Sequence, residues 1–330
     1  MTIADPDGNA PVVARPAHTP APNPRTLPAA RLHGGVGWAP GALLLHLALS
    51  LLFTWPLALN LGGNQLTPGT IVEDRDQNLW NLWWVKTALL DLHTSPFQTD
   101  WIYWPTGVSL QFHTLNVFNG LLSIPFQPFL PLPVIYNLIV LLSFVLTGWG
   151  AYLLLAYVLR PHPAGTPASH GAIAAAAAVG SSIFAYSAYH LATQRGLLQL
   201  ISLEWVPFAV LFLLRAVHDD PRWRDLGAVA RWIVRRAVPA VVFLGLVALV
   251  DWYYVLYTLL FAGLYGLYLV ARAILDREGQ WAIRLAAGPL RLAIVVALFF
   301  VLVSPLLVPM FAELQHATYM RPAPGVAVEN

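Results

Sequence analysis

The sequence predicts an all-α polytopic membrane protein, with about seven transmembrane helices and juxtamembrane amphipathic helices in a long first outer loop. Three observations lead there. Apolar residues make up 58% of the 330 and charged residues only 10%, against roughly 25% charged in a soluble domain; lipid removes the need for charged surface. Several apolar runs are long enough to cross about 30 Å of hydrocarbon at 1.5 Å per residue. Lys and Arg gather in alternate connecting segments, the bias that sets membrane orientation.

The elements follow in chain order. Residues 1–38 are rich in Pro and Ala and carry Arg15, Arg25 and Arg31 without an apolar run, so they are expected as a disordered cytoplasmic tail. The first long apolar run, 41–59, starts too late and runs too long for a signal peptide. Further spans are expected at 134–159, 171–190, 197–214, 233–250, 252–271 and 290–311, with Asp251 as the turn between two of them. Segment 117–131 is short and carries Pro125, Pro128 and Pro131, which points to an interfacial or re-entrant piece.

With the N-terminus inside and seven spans, fourteen of the eighteen basic residues fall in inner segments; Arg75, Lys86, Arg195 and Arg321 do not. Counting 117–131 as a span would invert everything after it and spoil that bias. The expectation is therefore a plasma (inner) membrane protein, N-terminus cytoplasmic and C-terminus outside. It comprises the tail 1–38, a transmembrane module 39–312 with an outer loop 60–133, and an outer C-terminal tail 313–330. Acids Glu73, Asp74, Asp76, Asp251 and Glu313 then share the outer face with His113, His190 and His316. A net charge of only +2 gives no field to attract nucleic acid. The absence of cysteine excludes disulfides, zinc–thiolate sites and thiol nucleophiles.

In EDRDQNLWNLWWVK (73–86), three carboxylates precede three tryptophans. Helical spacing puts Trp80, Trp83 and Trp84 on one face beside Asn78 and Asn81, as for a helix lying on the bilayer with its rings at headgroup depth. One acid suffices as an N-cap. Three exceed that need, and Asp74 and Asp76 are candidate oxygen ligands of a divalent cation, magnesium or manganese. No organic cofactor is expected. His113 and Asn116 are candidate contacts for phosphate or sugar hydroxyls, with an ordinary surface role as the alternative; the same holds for His190. Arg195 is a candidate contact for an anionic headgroup or lipid phosphate. Asp251 is either a substrate contact or a helix cap. Glu204, two turns into a span, needs a polar partner.

Asp74 with Asn78, LWNLWWVKTALL, YWPTGVSL (103–110), FHTLN (112–116), FAYSAYHLA (184–192), LQLISLEWVPF (198–208) and DWYYVLY (251–257) together resemble bacterial membrane proteins of the GT-C glycosyltransferase superfamily, over roughly residues 41–310. The resemblance implies a conserved core of about seven helices, with an essential acid near the start of the first outer loop. That acid maps to Asp74, as general base. The implied donor is a polyprenyl-phosphate-linked sugar used at the outer face among membrane lipids. Such enzymes continue to eleven or more spans, so a second membrane chain is an expected partner. Two other classes stay open: a non-catalytic subunit of a glycan-assembly complex, and a transporter. The transporter would place polar groups midway along several helices, where only His46 and Glu204 stand out.

Overall fold

The computed structural model describes residues 38–62, 72–160, 169–193, 196–218, 225–275 and 281–316. Among the described residues the chain is mostly helical, and six of the helices there are long and apolar enough to cross a membrane. A seventh apolar helix, α1 (Ala39–Phe53), has only 15 residues, fewer than the roughly 20 a perpendicular span requires. The expected span 41–59 therefore ends early. Pro56 disfavours helical backbone at Trp55 before it, and the run finishes as a turn and a short 3₁₀ segment, Leu57–Leu59.

Helix α2 (Val72–Lys86) continues through a wide π turn, Thr87–Asp91. A two-stranded antiparallel ribbon follows, β1 (Gln98–Thr99) and β2 (Val108–Ser109), with Thr99 opposite Val108. Gly107 closes it at φ +67°, where an added Cβ would meet the Thr99 carbonyl oxygen at 2.7 Å, so glycine is required there. Helix α3 (Val117–Ser123) has seven residues and cannot cross a membrane. It is capped by Asn116, in left-handed conformation, whose Oδ1 accepts the Asn119 N–H.

The bundle then runs through α4 (Leu132–Val158), α5 (His170–Ala185), α6 (Ala188–Thr193), α7 (Leu198–Ile201) and α8 (Trp205–His218). It ends with α9 (Leu226–Trp232), which passes through a π turn into α10 (Val238–Val250), then α11 (Trp252–Leu275) and α12 (Trp281–His316). The unbroken stretches Leu226–Val250 and Trp252–Leu275 have 25 and 24 residues. Each is longer than its apolar run because the helix continues beyond it into polar sequence. Asp251 separates them in extended conformation, φ −158° and ψ 134°.

Helix α4 packs against α1, α5 and α8, and α8 carries the contacts on to α10 and α12. One core gathers α8, α10, α11 and α12 around Leu213, Leu244 and Phe299. Another gathers α4 with the ends of α5 and α7 around Tyr136, Phe144 and Ile201. The loop has a core of its own, in which Trp84 and Val85 pack with Ala88, Leu110 and Leu115.

Candidate functional site

The polar residues of the first loop collect at one end of the bundle. The Glu313 carboxylate near the end of α12 accepts the Ser109 hydroxyl at 2.5 Å, and Asn78 on α2 donates to the Gly196 carbonyl at 2.9 Å. The segment 111–117 lies against the α10–α11 junction around Asp251. These elements, far apart in sequence, share one end of the bundle, as the expectation of a single face for them requires.

The tryptophan helix differs from expectation. Trp80 and Trp84 stack at 5.5 Å, and Trp101 closes over Trp83 at 5.2 Å. Trp84 is buried, and its Nε1 donates to the Pro96 carbonyl at 2.9 Å. These rings hold the loop together; Tyr103 and Trp104, mostly exposed, are the aromatics the loop presents outward. Periodicity places residues on a common face without saying what that face meets.

Beside the tryptophans, α2 carries a polar row. Gln77 Nε2 donates to the Thr114 hydroxyl at 2.9 Å, and Asn81 Nδ2 donates to the Thr114 carbonyl at 2.9 Å. This fixes the Asn81 amide so that its Oδ1 faces His113 Nε2 at 3.0 Å. An amide oxygen only accepts, so His113 carries its proton on Nε2 and presents a lone pair at Nδ1. Burial pushes the His113 imidazole below the usual histidine range, which keeps it neutral. Neither Gln77 nor Asn81 was singled out from sequence, although Asp74, Gln77, Asn78 and Asn81 share one side of the helix by their spacing of three and four.

His113 and Phe112 line two cavities. The first, about 350 Å³, lies between loop 111–117, the α10–α11 junction and the C-terminal part of α12. Asn116 and Asp251 line it together with His113, so three of the candidate contacts meet. The Nδ2 of Asn116 is a buried donor without a partner among the described residues. Asp251 both caps and faces the cavity: its Oδ1 accepts the Tyr253 N–H at 2.6 Å, while burial pushes its carboxyl above the usual range against the pull of that bond. The far wall is apolar, formed by Leu256, Leu306 and Met310, and Leu256 is itself exposed on the flank of α11. The second cavity, about 630 Å³, is lined on its polar side by Gln77, Ser109 and Glu313 and on its aromatic side by Trp80, Tyr103 and Phe112.

The other candidates stand apart. Asp74 lines neither cavity. Asn78 is buried and lines neither cavity; its Nδ2 donates to the Asp74 and Gly196 carbonyls and ties α2 to the α6–α7 turn, while its Oδ1 has no partner among the described residues. His190 is buried with Nδ1 and Nε2 each 2.7 Å from a backbone oxygen, of Ala185 and Ile201. Both nitrogens are engaged, so His190 is a structural cross-link and not a substrate contact here. Arg195 lies outside the described residues. Glu204 has the partner it needs in the Ser143 hydroxyl, 2.7 Å away.

Asp74 and Asp76, two residues apart on a helix, diverge by about 200°, and Asp76 is paired with Arg75 at 2.7 Å. Among the described residues, no group of three or more His, Asp and Glu is arranged to hold a metal ion. Comparison with protein-family models, curated proteins and solved structures finds no match to this chain.

Proposed function

We propose that the chain is an integral membrane glycosyltransferase of GT-C type, which moves a sugar from a polyprenyl-phosphate donor to an acceptor at the outer membrane face. The observation that carries this reading is the composition of the 350 Å³ cavity. Its polar wall holds a buried orphan donor, a carboxylate and an imidazole. Its opposite wall is apolar and continuous with the exposed flank of α11. A ligand with a hydroxyl-rich head and a hydrocarbon tail matches both walls, and the volume lies at the small end of the roughly 300–1,000 Å³ usual for ligand sites. Within it, Asp251 accepts a sugar hydroxyl, and the Asn116 amide donates to a ring or phosphate oxygen. Leu256 lies along the path of the tail.

The sugar and phosphate come from the resemblance, and so does the role of Asp74 as base. Arg75 and Lys86 are already paired with Asp76 and Asp91, which leaves Arg195 as the outer cation proposed for the donor phosphate. The full reading also takes α1 with the turn after it as the first of seven crossings, and the GT-C-like core as the frame of the site.

Native mass spectrometry of the chain in nanodiscs tests the reading with a polyprenyl-phosphate hexose as probe. The wild type is expected to retain the lipid. Asp251→Asn is expected to weaken retention by about ten- to a hundredfold, the loss of a charge-assisted hydrogen bond of about 1.5–3 kcal/mol. Failure of the wild type to retain the lipid, with solute flux in liposomes, would sink the reading in favour of transport. Retention by a chain that transfers sugar only when co-purified with a second membrane protein would assign it to a subunit.

The orientation has its own test, which the lack of native cysteine makes clean. Single cysteines at Asp76, His113 and Trp252 are expected to react with an impermeant thiol reagent on intact cells, while one at Gly227 is not. Labelling divided otherwise would remove the shared outer site.

A further inference from the structure

A transfer reaction needs two substrates to meet across a group that can take a proton, and the two cavities meet at His113. We infer that the 630 Å³ cavity is the acceptor subsite for a pyranoside, and that His113, positioned by Asn81, is the base that deprotonates the acceptor hydroxyl. The inference rests on the proposed glycosyl transfer and differs from the resemblance, which gives the base's role to Asp74.

The chemistry of the cavity carries the substrate class. A pyranose ring has a face of C–H groups and a rim of hydroxyls. The rings of Trp80, Tyr103 and Phe112 offer apolar surface to the first, and Glu313, Ser109 and Gln77 offer acceptors and donors to the second. The Glu313–Ser109 bond brings the end of α12 onto the ribbon and so places a carboxylate in the cavity wall.

Hydrogen-bond direction carries the role of His113. Asn81 Nδ2 donates to the Thr114 carbonyl, so Oδ1 must face the imidazole, and Nε2 must hold the proton. Nδ1 makes no hydrogen bond among the described residues. In the transfer, the acceptor oxygen attacks the anomeric carbon held in the first cavity, and the bond from that carbon to the phosphate oxygen breaks. The phosphate leaves with the electron pair, and the acceptor proton passes to His113 Nδ1. Burial already keeps the imidazole neutral and ready to accept. The other titratable groups around the two cavities are Asp251 and Tyr253 at the α10–α11 junction, Glu313 on α12 and Tyr103 in the loop. Asp74 is about 10 Å from Asn81 along α2, seven residues at 1.5 Å each.

The experiment uses the full chain in nanodiscs, methyl pyranosides as acceptor probes and diethyl pyrocarbonate, which acylates only unprotonated imidazole nitrogen. Peptide mapping reads His113 against the exposed His93. His113 is expected to react with a pH inflection below the usual histidine range, because burial disfavours its charged form. A pyranoside at about ten times its dissociation constant would leave roughly a tenth of sites open, so modification should slow about tenfold. Glu313→Gln should weaken that protection at least tenfold. Asn81→Asp, which puts a carboxylate on Nε2–H, should move the inflection upward.

Unreactive His113 beside reactive His93, pyranosides that protect no site, or protection indifferent to Glu313→Gln would each overturn the inference. The polyprenyl-phosphate hexose measurement runs in parallel. Loss of lipid retention with pyranoside protection intact counts against the donor reading alone, and the reverse against the acceptor subsite alone.

Discussion

Gly148→Val is expected to prevent α1 from seating on α4 and to leave little folded protein. A Cβ at position 148 would lie 2.1 Å from Nδ1 and 2.4 Å from Cγ of His46. The imidazole has no room to withdraw: it is fully buried, its Nε2 is 2.9 Å from the Ser181 hydroxyl, and Tyr186 donates to its backbone carbonyl at 2.8 Å. Overpacking of this kind costs about 1–3 kcal/mol for small insertions and more where neighbours are fixed, so alanine should already destabilise and valine should do worse. Thermal unfolding in detergent, followed by the loss of the monodisperse peak, measures it. The pair His46→Ala with Gly148→Ala removes the collision and should recover part of the loss. A Gly148→Val chain as stable as wild type would mean that α1 and α4 do not approach this closely.

The second large effect is expected at Trp84. Its ring is buried in the core of the loop, and its N–H satisfies the Pro96 carbonyl. Truncation to alanine should cost about 3–5 kcal/mol. Because that core is local to the loop, the loss should appear as opening of the loop before the bundle melts. Limited proteolysis between residues 93 and 113 reads it directly. Trp84→Phe keeps most of the packing and gives up one hydrogen bond, worth about 1 kcal/mol. Trp104, 77% exposed, is the control whose replacement should change little. Early cleavage in both variants alike would deny Trp84 its structural role.

How far this was legible beforehand divides along physical lines. The long apolar runs gave the helices because length and composition are local properties. The break at Asp251 could be read because no helix of that length fits one bilayer crossing. The end of α1 was missed because an apolar count does not feel the backbone restriction ahead of Pro56. Spacing placed the tryptophans on one face of their helix but could not show that Trp84 is buried in the loop's own core, whose partners Phe97, Leu110 and Trp101 come from the following turn and ribbon. His190 read as a possible ligand because nothing local reveals that two carbonyls hold its ring. The grouping of His113, Asn116 and Asp251 was anticipated only as a common side. That they line one cavity depends on α10, α11 and α12, more than 100 residues downstream of the loop. Asn81 was overlooked as a site residue because its value lies in the proton it fixes on a histidine 32 positions away.

That distance in sequence has a counterpart in time. The loop bearing His113 leaves the ribosome early, and Trp84 and its neighbours give it a core to fold around at once. Neither cavity exists at that stage. The first waits for Asp251 and then for Leu306 and Met310, and the second waits for Glu313 to reach Ser109. Among the described helices, α12 is therefore the one that finishes both cavities. A chain interrupted anywhere before α12 would hold the loop's residues without either chamber around them.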